Sequence, residues 1–93
     1  MKFEWNPTKA ASNRAKHGVT FVEAMTVFGD PLARIFDDPE QAVEAGREII
    51  VGHSAKDRLL LVVFAAEQHT IRIISARRAT RNERKDYEEN VRS

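Results

Sequence analysis

The run Leu59-Leu60-Leu61-Val62-Val63-Phe64-Ala65-Ala66 constrains this chain more than any other stretch of it. It is too short to cross a bilayer, which takes about 20 apolar residues in a helix. It also lacks apolar–polar alternation, so both of its faces call for burial. A strand of that kind belongs in the middle of a sheet. Its neighbours in sequence supply partners. Ile49 to Gly52 begins a strand before the link Ser54-Ala55-Lys56-Asp57, and Thr70 to Ala76 forms one after the link Glu67-Gln68-His69. Both links are of hairpin length. In the last strand, Ile71 and Ile73 fall on one face, Arg72 and Ile74 on the other.

The N-terminal part reads as helical. Phe3 to Trp5 is a short strand halted at Asn6-Pro7, with Asn6 as N-cap and Pro7 at the first helical position. That helix runs to about His17 and closes on Gly18. Thr20-Phe21-Val22-Glu23 is a capping box opening a second helix. Phe21, Ala24, Met25 and Phe28 form its core stripe, and Gly29-Asp30-Pro31 ends it. Leu32 to Phe36 is a further strand, followed by an acidic loop from Asp37 to Gly46. A second capping box, Thr80-Arg81-Asn82-Glu83, starts a helix to about Val91 whose bulky apolar side chains are Tyr87 and Val91. The expected fold is α+β. Two N-terminal helices pack on an antiparallel sheet of about four strands, with a C-terminal helix, all in one domain over residues 1–93.

Composition removes several classes of function. The chain has no cysteine, which excludes a disulfide scaffold, a zinc knuckle and a thiol nucleophile. His17, His53 and His69 are far apart and in no metal-ligand spacing, so neither metal nor cofactor is expected. Ser12, Ser54 and Ser75 lie in no nucleophile elbow. Met1-Lys2-Phe3-Glu4-Trp5-Asn6 lacks the apolar core of a signal peptide, so a soluble cytoplasmic chain without a membrane partner is expected.

The formal net charge of +1 conceals a strong segregation. Residues 1–20 carry a balance of +3, residues 21–50 one of −5, and residues 71–93 again +3. If the fold joins the two basic ends, they form a field suited to a polyanion; the alternative is charge spread over a solvated surface. The strongest feature is the exit from the last strand, Arg72-Ile73-Ile74-Ser75-Ala76-Arg77-Arg78. A period of two puts Arg72 and Arg78 on one face and Arg77 on the other. The helix start at Thr80 follows at once, so guanidinium forks and free N–H groups converge on one phosphate-sized place. Ion pairing with the acidic middle segment is the competing use of these arginines.

On the last helix, Glu83, Arg84 and Tyr87 share a surface and offer a base, a charge stabiliser and an acid. Glu83 is also the capping partner of Thr80, and Tyr87 is the helix's main core contact. Lys16-His17-Gly18 is the other candidate, with an imidazole that can serve as acid or base and equally suits a helix C-terminus. Trp5 reads as a core or staple residue ahead of a base-stacking platform.

Taken in order, Phe3-Glu4-Trp5-Asn6, Lys16-His17-Gly18-Val19-Thr20-Phe21, Val27-Phe28, Asp30-Pro31, Ile73-Ile74-Ser75-Ala76-Arg77-Arg78-Ala79-Thr80, Glu83-Arg84 and Tyr87-Glu88 resemble the BrnT family. These are ribonuclease toxins of type II toxin–antitoxin systems, and the resemblance spans Phe3 to Glu88. It implies a RelE-like fold and a metal-independent endoribonuclease that attacks the RNA phosphate with the adjacent 2′-OH, inhibiting translation and growth. It also implies a BrnA-like antitoxin partner, with DNA engaged only through that antitoxin. The motif positions that carry over are His17 with Lys16, Arg77, Glu83 and Arg84. To these the residue reading adds Tyr87 as a catalytic candidate and Arg72, Arg78 and Arg81, beside Lys16, as RNA-binding candidates. The competing function is a non-catalytic RNA- or protein-binding module using the same basic surface.

Overall fold

The computed structural model describes residues 1–37 and 46–92, so the acidic loop expected from Asp37 to Gly46 lies, but for its ends, outside the described residues. The chain runs through β1 (Lys2–Glu4), α1 (Pro7–His17), α2 (Phe21–Thr26), a 3-10 turn over Val27–Gly29, β2 (Arg34–Asp37), β3 (Arg47–His53), β4 (Leu59–Glu67), β5 (Thr70–Arg78) and α3 (Arg81–Arg92). No helix among the described residues is long and apolar enough to cross a membrane.

The strands form one sheet in the order β1-β5-β4-β3-β2. The four strands from β2 to β5 form three antiparallel pairs, as the hairpin-length links on either side of β4 require. The fifth strand extends the expected sheet of about four: β1 joins β5 in parallel, with Phe3 opposite Ile71. Three residues carry too little pattern to name a partner nearly seventy positions away, so this pairing is decided only in the folded chain.

Both faces of β4 are covered. Leu60, Val62 and Phe64 join Ile71, Ile73 and Ala76 under α1 and α2, where Val19, Phe21, Ala24 and Val27 are buried. Leu59, Leu61 and Val63 join Ile49, Val51 and Tyr87 on the opposite face, with Val91 of α3 packed against them. This is the physical reason for the unbroken apolar run. The expected helix stops hold as well. Asn6 Oδ1 accepts from the N–H groups of Thr8 and Lys9 at 2.9 and 3.2 Å, and Gly18 closes α1 at φ 69°. That left-handed geometry favours glycine.

One strand departs from a regular period. Val63 faces Ser75 but Phe64 faces Ile73, leaving Ile74 as the extra residue of a β-bulge. A bulge reverses which residues share a face beyond it. Arg72 opposite Ala65 and Arg77 opposite Leu61 therefore lie on the α3 face, and Arg78 opposite Leu60 lies on the α1–α2 face. The expectation that Arg72 and Arg78 share a face, with Arg77 opposed, is corrected accordingly.

Candidate functional site

Two buried polar clusters fix one end of the sheet. Asn13, on the inner side of α1, donates through Nδ2 to the carbonyls of Ala76 at 2.8 Å and Val19 at 3.0 Å. Its Oδ1 accepts the Ala76 N–H at 3.1 Å. One amide thus ties the end of α1, and the turn after it, to the backbone immediately before Arg77. The second cluster is Glu23, Arg58 and Ser54. The Arg58 guanidinium grips both oxygens of the Glu23 carboxylate, and the Ser54 hydroxyl donates to the same group at 2.7 Å. Arg58 Nη2 also reaches the Gly18 carbonyl at 3.3 Å, docking the Lys16-His17-Gly18 corner onto the sheet end. Arg58 and the Ser54 hydroxyl hold the Glu23 carboxyl below its ordinary value against the opposing effect of burial.

The two capping boxes therefore differ. Glu23 leaves its box half-made, since its own N–H bonds Thr20 Oγ1 at 3.1 Å while its carboxylate serves Arg58. The second box is complete. Glu83 donates its N–H to Thr80 Oγ1 at 3.2 Å, and its Oε1 accepts the Thr80 N–H at 2.8 Å. The same carboxylate takes Arg77 bidentately, Nη1 to Oε1 and Nη2 to Oε2, each at 2.8 Å. Capping and ion pairing are thus one arrangement, and it fixes the Arg77 fork across the strand–helix junction. Arg77 also donates to the Arg78 carbonyl at 3.3 Å. Of its five N–H donors, two remain for another partner.

Arg77 pulls the Glu83 carboxyl down to about 2, with the Thr80 N–H helping and burial opposing. At neutral pH Glu83 is a weak base and a firm anchor. A carboxyl lowered in the folded state stabilises the fold above its unfolded pKa and loses that contribution as pH falls through its folded one. Glu83 and Glu23 are both lowered, so thermal melts should show stability falling as pH drops from about 4.5 toward 2. Carboxyl-carbon NMR should place the Glu83 midpoint near 2. A Glu83 midpoint at its ordinary value of 4.5 would mean the fork is not closed in solution.

The fold does bring the basic ends together. Lys16 and His17 project from the corner that Asn13 and Arg58 dock, and Arg77 and Arg78 leave the same sheet end on its two faces. Arg81 and Arg84 follow on the first turn of α3. Lys16, His17, Arg78, Arg81 and Arg84 are exposed, and among the described residues their side chains make no hydrogen bond or ion pair. Two candidates lie elsewhere. Arg72 is about 16 Å from Arg77 along an extended strand and pairs with Glu4 at 3.4 Å. Tyr87 is buried on the face of α3 that meets β3, 5.7 Å from the His53 ring, and its hydroxyl donates to the Leu32 carbonyl at 3.3 Å. Burial and the nearby Asp30 carboxylate push its phenol up. Glu83 and Tyr87 share a helix side, yet the helix crosses the sheet, so they meet different strands.

Asn13, Glu23, Ser54 and Arg58 were not singled out for this end of the molecule. An asparagine three residues after inward-facing Ala10 was the one legible sign, because a polar group on a buried helix side needs partners.

What fold and corner define together is a small α+β protein that concentrates unpaired cationic groups and one imidazole at a single sheet end. Residues 5–83 match the family described as the ribonuclease toxin, BrnT, of type II toxin–antitoxin systems, and the chain belongs to that family. Among solved structures it is similar to the Brucella abortus ribonuclease toxin BrnT, at 25% identity and a TM-score of 0.69. That match covers 87% of this chain and 99% of the Brucella chain. No match to a curated protein was found.

Proposed function

We propose that this toxin is a metal-independent endoribonuclease whose reaction is transesterification at the sheet end. The RNA 2′-oxygen bonds to the adjacent phosphorus, the bond from phosphorus to the 5′-oxygen breaks, and a 2′,3′-cyclic phosphate is left. The proton of the 2′-OH goes to a base, and the departing 5′-oxygen takes one from an acid. His17 is the group assigned to this proton traffic, since an imidazole can accept a proton at one step and return it at the next. Arg77 is assigned to the charge that grows on the phosphoryl oxygens, using the two N–H groups that Glu83 and the Arg78 carbonyl leave open. Glu83 then acts as a positioning residue. Lys16, Arg78, Arg81 and Arg84 hold neighbouring phosphates, while Tyr87 anchors α3.

The observation that carries this reading is the Arg77 fork, oriented by Glu83 directly after the Ala76 backbone that Asn13 of α1 holds, in a chain of a ribonuclease toxin family. Purified toxin should cleave RNA in the presence of EDTA and leave 2′,3′-cyclic phosphate ends. Activity lost in chelator, or products ending in 5′-phosphate and 3′-OH, would overturn the mechanism.

The partner proposed is a BrnA-like antitoxin that covers the same end. The support is α3, whose polar surface carries Arg81 and Arg84, which have no side-chain partner among the described residues. Growth arrest on expression should be relieved by co-expressing the antitoxin. Hydrogen exchange should then show protection from Arg77 to Tyr87, whereas unchanged exchange there argues against occlusion.

A further inference from the structure

We infer that the groove between α1 and the start of α2 is a nucleobase subsite, in which an RNA base stacks against Trp5 while its phosphate meets Arg14. The inference rests on the reading of this chain as an RNA-cleaving toxin. The groove has a volume of about 220 Å³ and is lined by Trp5, Ala10, Ala11, Arg14, Phe21 and Val22. An apolar cavity of about 150 Å³ admits a benzene ring, so this space suits one flat ring system and is too small for the face of a helix. Trp5 is half-buried. It meets Phe21 edge-on, with ring centroids 6.0 Å apart, so its attachment to the core is already made from one side.

The charge around the groove selects the occupant. Helix α1 contains no acidic residue, and Lys9, Arg14, Lys16 and His17 all project from it. None of these side chains has a hydrogen bond or ion pair among the described residues, and neither has the Trp5 indole N–H. No lining residue is acidic, and Val22 leaves 58% of its surface exposed at the rim. An apolar slot, one free N–H donor and a row of unpaired cations match a polymer that alternates flat bases with phosphates. Continuity favours RNA over a peptide. Arg14 precedes and Thr20 follows the Lys16-His17-Gly18 corner, and both border the groove, so a strand cleaved at that corner passes directly into it.

Trp5 is the single tryptophan, so its emission reports this groove alone. The protein is titrated with a short 2′-O-methyl RNA, which lacks the attacking hydroxyl, while a labelled copy reports binding by anisotropy. Saturable quenching of Trp5 is expected, and inorganic polyphosphate, which has charge without bases, should not reproduce it. Arg14→Ala should weaken binding about fivefold and reduce its salt slope by about one. Val22→Glu, at an exposed position, should weaken it about tenfold. RNA that binds without quenching, equal quenching by polyphosphate, or both variants binding like the parent would overturn the subsite and leave the nuclease reading intact. Quenching by the antitoxin and not by RNA would overturn it in favour of a protein partner. Quenching by RNA in a protein that never cleaves RNA would do the opposite, sustaining the subsite and removing the nuclease.

Discussion

Arg77→Ala is expected to lower kcat for RNA cleavage by about 10²–10³-fold, with KM changed far less, because removing one preorganised donor to transition-state charge costs that much. The fork is held before substrate arrives: Glu83 grips both Nη atoms at 2.8 Å, and the Thr80 N–H fixes Glu83 in turn. Little reorganisation is left for the reaction itself. The fold should survive the substitution, since Glu83 remains part-exposed and keeps its helix-capping bonds. Single-turnover cleavage with circular dichroism on the same samples checks both halves of the statement. Two companion variants separate chemistry from positioning. His17→Gln should remove about 10²–10⁴-fold of activity with little change in melting temperature, as loss of a general acid or base does. Glu83→Gln can still cap Thr80 and offer Arg77 one oxygen, so activity within about tenfold of the parent is expected. A dead Glu83→Gln beside an active His17→Gln would move the base to α3 and leave His17 a helix-end residue.

The largest effect on stability is expected at Asn13. Its side chain is buried and satisfies three backbone groups, the Ala76 N–H and the Ala76 and Val19 carbonyls. Asn13→Ala strands all three, and unsatisfied buried groups cost about 1–3 kcal/mol each where water cannot reach them. Partial relaxation and entry of water bring the expected loss to about 2–4 kcal/mol, from a total of roughly 5–9 kcal/mol for a domain of this size. Urea melts should show a lower midpoint at unchanged m-value. A loss under about 0.5 kcal/mol would place Asn13 among ordinary surface positions. Because the same amide sets α1 against the strand that ends in Arg77, the folded fraction of this variant should also cleave more slowly.

Much of this protein was decided by the sequence on its own, wherever the determinant is local. The unbroken apolar run of β4, the hairpin links beside it, the Asn6-Pro7 helix start, the Gly18 stop and the Thr80–Glu83 box are each complete within a few residues. Their geometry depends on backbone sterics and nearest-neighbour hydrogen bonds, which travel with the segment. The motif residues Lys16-His17-Gly18 and Ala76-Arg77-Arg78 were legible in the same way, as chemistry without coordinates.

Tertiary structure decided the rest. A three-residue β1 chooses β5 by the contacts it finds after collapse. The Ile74 bulge, invisible to any period of two, sends Arg77 toward α3 and Arg78 toward α1. Glu83 and Glu23 stand in look-alike capping sequences, yet one carboxylate keeps its cap and clamps Arg77, while the other abandons it for Arg58, 35 positions away. For the two carboxylates the deciding quantity is the free energy of burying a charged group. It depends on which partner the rest of the chain brings within hydrogen-bonding distance, and for Glu23 that partner, Arg58, lies outside any local window of sequence.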